Sequence, residues 1–200
     1  MKKRNPTESG FPTRGVTRYQ TRFLHLLVFV FLVLSIHSNS SAQSSSGKIY
    51  TVPQIRQIYL KINEYKKYKQ VSIEDCELLF GQSTDNGCSL TGYYKVDSLK
   101  KMVEWIGLSN RVNINEYYFQ DNHIVLVLSL EKLYKVNDVT GEMDNTRFDK
   151  TFADRYYFSN DKLIKTILSN KEHEMTEEQA ASEFLATSKK YLSILHSRHH

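Results

Sequence analysis

The stretch "EYYFQDNHIVLVL", residues 116–128, runs from aromatic residues through a short polar turn into an almost wholly apolar segment. Aromatic and β-branched residues favour strands, and a polar break of this length between two such runs reads as a β-hairpin. The plan recurs upstream in "GYYKVDSLKKM", residues 92–102, and downstream in "RYYFSNDKLIKTIL", residues 155–168. Three hairpins on one plan decide the fold class. Successive hairpins joined by short connections build an antiparallel meander.

Neighbouring residues on a strand point to opposite faces, so the two tyrosines of a doublet cannot share a role. Polarity places Tyr156 and Phe158 toward the core and Tyr157 away from it. The same phase puts Tyr117 with Phe119, and Tyr94 with Val96, on the core side. The first copy then turns on two residues, Asp97 and Ser98, where the other two turn on four. Lys95, Glu116, Tyr118, Arg155 and Tyr157 form the outward set. Tyr118, Tyr157, Arg155 and Glu116 are therefore the candidate ligand-binding residues, as an aromatic stripe able to stack on sugar or to pack on a partner. One segment qualifies this expectation: "HIVLVLSLEKLY", residues 123–134, is apolar on both faces, as in a strand covered on both sides.

Helical patterns flank the strand-rich region. In "TVPQIRQIYLKINEYKKY", residues 51–68, Thr51 and Gln54 have the spacing of a capping box, and Ile55, Ile58, Tyr59, Ile62 and Tyr65 recur on one helical face. In "TEEQAASEFLATSKKYLSILHS", residues 176–197, Thr176 and Gln179 repeat the capping signal, with Glu177 and Glu178 where the helix dipole favours acids. Ala181, Phe184, Leu185, Ser188, Tyr191, Leu192 and Leu195 make its stripe. The expected architecture is α+β, an antiparallel meander of six to seven strands packed with an N-terminal and a C-terminal helix. It fills a single domain over residues 51–197, preceded by a flexible tether over residues 43–50.

Residues 1–42 read as a signal peptide. Six basic residues and one acid precede "FLHLLVFVFLVLSI", residues 23–36, and the Ser-rich run that follows offers a cleavage site after Ala42. The apolar core is shorter than the roughly 20 residues of a spanning helix. The alternative is an uncleaved N-terminal membrane anchor. The whole chain has 27 Lys+Arg and 22 Asp+Glu, but residues 43–200 hold 21 of each. The basic balance thus belongs to the leader, which removes the electrostatic case for a nucleic-acid partner. Cys76 and Cys88 are the only cysteines. In an exported chain they are expected to form one disulfide that staples a hairpin.

The YYF, turn, Leu-Ile hairpins set between a capped helix and a C-terminal helix resemble those of exported bacterial proteins of unknown function. The resemblance covers residues 92–168. Those hairpins place Gly in the turn where this chain has Asn122 with His123 and Asp161 with Lys162, and the resemblance brings no catalytic residue.

No G-x-S-x-G elbow, phosphate-cradling glycine loop or H-E-x-x-H is present. His173 in "KEHEMTEE" lacks a second histidine at ligand spacing, and His196, His199 and His200 lie in a terminal tail. "NDVTGEMDN", residues 137–145, departs from the ordered Ca²⁺-loop spacing. No cofactor or metal is expected. The leading functional expectation is a secreted or periplasmic binding module for a ligand or an envelope protein. Alternatives are a small periplasmic hydrolase with a dispersed site built from Glu116, His123 and Arg155, and a structural or inhibitor-like envelope protein. Glu116 and Glu131 stand out as acids within apolar strands.

Overall fold

Three two-residue turns set the geometry of the sheet. The computed structural model describes residues 48–199, which lie in one compact unit, Ser46–His200. The leader and the proposed cleavage site fall outside the described residues. Helix α1 (Val52–Glu64) is followed by β1 (Lys69–Ile73), a short helix α2 (Cys76–Phe80), β2 (Cys88–Lys95), β3 (Ser98–Gly107), β4 (Arg111–Gln120), β5 (His123–Val136), β6 (Met143–Ser159), β7 (Lys162–Ile167) and the long helix α3 (Glu177–His199). The seven strands form one antiparallel sheet in sequence order, which is the α+β meander expected.

The three hairpins β2–β3, β4–β5 and β6–β7 are copies of one another to the residue. Pairing of Lys95 with Ser98, Gln120 with His123, and Ser159 with Lys162 leaves two residues in each turn. In each, a register shift follows one step into the returning strand and leaves Lys100, Val125 or Ile164 unpaired. The true alignment therefore sets Gly92-Tyr93-Tyr94 against Tyr117-Tyr118-Phe119 and Tyr156-Tyr157-Phe158. The expected two-residue and four-residue turns are corrected to two residues throughout, with the first copy shifted by one.

The shift moves Val96 from the expected core into a turn, where it is 82 % exposed with φ 56°. Asp121, Asn122, Asn160 and Asp161 also have left-handed φ, as a type I′ hairpin turn requires. Asn and Asp tolerate that region, whereas β-branched Val does so under strain. Gly92 stands where the other copies carry Tyr117 and Tyr156. A Cβ there would lie 3.1 Å from Leu195 Cδ1 and 2.9 Å from Tyr94 Cε2. Helix α3 occupies the space that a tyrosine fills elsewhere.

Helices cover both faces of the sheet. On one, Tyr117, Phe119, Val127, Tyr156 and Phe158 join Leu90 and Met102 beneath Ala181, Tyr191 and Leu195 of α3 and Leu79 of α2. On the other, Tyr118, Val125, Leu126 and Tyr157 pack against Ile55 and Ile62 of α1. Both capping signals are realised in part or whole: Gln54 accepts from Thr51 N–H at 2.8 Å, and Thr176 and Gln179 exchange both bonds of a capping box. The tether expected to end at residue 50 is shorter. Tyr50 is buried, its N–H donates to Ser159 Oγ at 2.8 Å, and its hydroxyl donates to Asp121 at 2.6 Å. That hydroxyl is pushed up to about 12 by burial, with the Asp121 carboxylate adding to the shift.

Cys76 and Cys88 form a disulfide with Cα atoms 5.7 Å apart. It staples the β1–β2 connection, which contains α2, and so anchors a helix to a strand rather than closing a tight hairpin. Among the described residues no helix is long and apolar enough to cross a membrane.

Candidate functional site

The four residues expected to form an outward stripe are divided by the sheet's covering helices. Tyr118 and Tyr157 are 0 % and 3 % exposed beneath α1, so the open aromatic face is corrected to a buried layer. The cause is the apolar stripe of α1, which has no other surface to cover. Tyr118 donates to Glu116 and is 3.2 Å from Asn63 Nδ2. Lys101 pairs with Glu116 at 3.0 Å. Burial first, and then the Glu116 carboxylate, hold the Tyr118 hydroxyl far above its ordinary value. This network ties α1 to β3 and β4.

Arg155 and Tyr157 instead line an open groove with Arg56, Tyr59 and Leu60 of α1. Glu116 and Arg155 share one row across the sheet with Leu128 between them. His123 lies at the hairpin tips, 3.2 Å from Asp161. Glu116, His123 and Arg155 therefore do not converge, and each has separate surroundings. In the segment 137–145, Asn137 Oδ1 accepts from Val139 N–H at 2.9 Å and Asp144 pairs with Arg147 at 2.5 Å, so these oxygens serve the turn itself. Among the described residues no three of His, Cys, Asp and Glu are grouped as a metal would need.

The strongest polar site lies on the opposite face. Strand register aligns Glu104, Asn115, Ser129 and Asp154 as neighbours on four consecutive strands, with Asn113 and Glu131 in the adjoining row. Above part of these rows is a cavity of about 510 Å³. Its floor carries Glu104, Asn113, Asn115 and Ser129; α2 supplies Leu79 and Phe80, and α3 supplies Glu183, Phe184, Lys190 and Tyr191. Ala181, Tyr191 and Leu195 hold α3 down on the apolar rows along its length, and the cavity opens beside it over the polar rows.

Glu104 is 4 % exposed. Burial raises its carboxyl above the usual range, against the opposing pull of hydrogen bonds from Tyr191 and Asn115. Asn115 Nδ2 donates to Glu104 Oε2 at 2.6 Å, and the Tyr191 hydroxyl donates to Oε1. Asn113 Oδ1 is buried without a hydrogen-bond partner. A buried acceptor left unmet costs about 1–3 kcal/mol. A buried carboxyl with a perturbed pKa lining a cavity has the marks of a ligand site.

No protein-family model, curated protein or solved structure matches this chain. The functional reading therefore rests on the geometry.

Asp154 closes the polar row at the far side. Burial pushes its carboxyl up, but the hydrogen bonds from Ser169 and His173 prevail and hold it below its ordinary value. Ser169 N–H donates to Oδ1 at 2.6 Å, and His173 Nε2 is 3.0 Å from Oδ2. Lys171 reaches Glu131 at 3.4 Å. These contacts pin the β7–α3 connection to the sheet.

Glu104 escaped the sequence reading. It sits two residues from Met102 and two from Ile106 on a strand, so its phase places it on an apolar face. A charged residue in core phase was the available signal.

Proposed function

We propose that this chain is an exported ligand-binding module whose site is the cavity between α2, α3 and the polar rows of the sheet, and that it takes a small neutral polyhydroxylated ligand such as a sugar. The observation that carries this reading is the cavity itself, whose floor sets the buried Glu104 beside Asn113, Asn115 and Ser129 under aromatic walls. Asn113, Asn115 and Ser129 offer amide and hydroxyl groups in that floor for the hydroxyls of a ligand.

Charge favours a neutral ligand. Burial disfavours the ionised form of Glu104, and Lys190 already donates to Leu79 O at 2.6 Å. Tyr117, Phe80 and Phe184 give the apolar walls on which a sugar's C–H face packs. The volume lies within the range of about 300–1,000 Å³ typical of small-molecule sites. Binding is favoured over nucleophilic catalysis, because among the described residues no Ser, Cys or His of the cavity is hydrogen-bonded to a base. The basic and apolar leader pattern and the disulfide support export.

Titration calorimetry of the chain against a panel of neutral mono- and disaccharides tests the proposal. Saturable binding is expected for a subset of the panel, with affinity falling about tenfold in Asn113→Ala, the effect of one neutral hydrogen bond plus the lost shape. Silence across the panel, or an Asn113→Ala variant that binds as the parent does, contradicts it.

A further inference from the structure

The second face of the sheet carries a separate groove, and its chemistry differs. Arg56 of α1 and Arg155 of β6 border a cleft of about 390 Å³ whose other walls are Leu60, Leu126, Leu128 and Ile167, with Tyr59 and Tyr157. Among the described residues neither guanidinium has an ion pair or hydrogen bond. The acid on the Arg155 row is Glu116, and it is committed to Lys101 and Tyr118. The immediate cross-strand neighbours of Arg155 are Leu128 and Ile167.

The guanidinium of Arg155, half-buried beside aliphatic side chains and without a counter-charge, is costly unless an anion completes it. With the exposed Arg56 across the same rim, it fits a bidentate anionic head, and the leucines and isoleucine fit an alkyl chain. We infer that this groove binds a single-chain amphiphile with an anionic head, carboxylate or phosphate, its head between Arg56 and Arg155 and its chain along Leu60, Leu126 and Leu128. The site lies across the sheet from the polar cavity. It does not depend on the sugar reading.

The probe is decanoate below its micellar concentration, titrated by calorimetry into the full chain and, in parallel, into residues 46–200, which form a compact unit by themselves. The shorter form removes the apolar leader as a source of binding. One saturable decanoate site is expected in both forms, with decanol and inorganic phosphate each at least about tenfold weaker, since either lacks one half of the match. Arg155→Gln and Arg56→Gln are each expected to weaken decanoate by about tenfold or more. Arg56 is exposed on α1, so its variant keeps the test intact should Arg155→Gln fold poorly. Decanoate affinity unchanged in Arg56→Gln, decanol or phosphate binding as well as decanoate, or no saturable site in residues 46–200 overturns the inference.

Discussion

Val96 and Glu104 are single residues placed against local preference, and each yields a measurable consequence. A β-branched residue with left-handed φ stores strain of about 1–2 kcal/mol, and Val96 is 82 % exposed, so nothing in the packing requires its side chain. Val96→Gly is expected to raise stability by about 1 kcal/mol, read as an increase in the midpoint of urea unfolding. An unchanged or lower midpoint contradicts the strain. Glu104 has a folded pKa above its unfolded value, because burial disfavours its charge. Its contribution to stability is then fully present below the unfolded pKa and is lost as pH rises through the folded one. Thermal melts from about pH 4 upward should show the parent losing stability relative to Glu104→Gln across that window. Parallel curves would exclude the shift.

At the scale of elements, the capped helices, the meander and the doublet phase are all legible in the residues. Ile55 and Ile62 of α1, and Tyr191 and Leu195 of α3, are buried as their spacing predicts. Tyr117, Phe119, Tyr156 and Phe158 share the predicted core. What escapes is which face is solvated, because period-two alternation says only that Tyr118 and Tyr157 point away from Phe119 and Phe158. Whether a helix covers them is a tertiary matter. The hint was present in the apolar run of β5, whose Val125 and Leu126 lie under α1. The first turn was misplaced by one residue because Gly92 stands in the tyrosine position, and the reason for that glycine is Leu195, about a hundred residues away. Cys76 and Cys88 were legible as a pair, but not as an anchor for α2. Removing the bridge with Cys76→Ser/Cys88→Ser is expected to cost about 3 kcal/mol, the chain-entropy value for a loop of this length, and to loosen the α2 wall of the cavity. Denaturation in urea reads the loss; no change in midpoint contradicts it.

For the whole molecule, three hairpin copies give a sheet whose two faces are put to different uses. One face is closed by α1 around Tyr118 and Tyr157, leaving a groove with two arginines. The other is closed by α3, with Glu104, Asn115 and Ser129 of the polar row lining a cavity and Asp154 held by the β7–α3 connection. The site was illegible in sequence because its floor comes from three strands, one or two polar residues from each, and only the register brings them together. ¹H–¹⁵N correlation spectra of the labelled chain, recorded during a titration with the best-binding neutral saccharide, show which face of the sheet takes the ligand. Saturable shifts are expected at Asn113, Asn115, Ser129, Lys190 and Tyr191, with the hairpin tips around Asp121 and Asp161 unmoved. Shifts confined to the α1 face or to the hairpin tips, or none at saturating ligand, would contradict the cavity as the site.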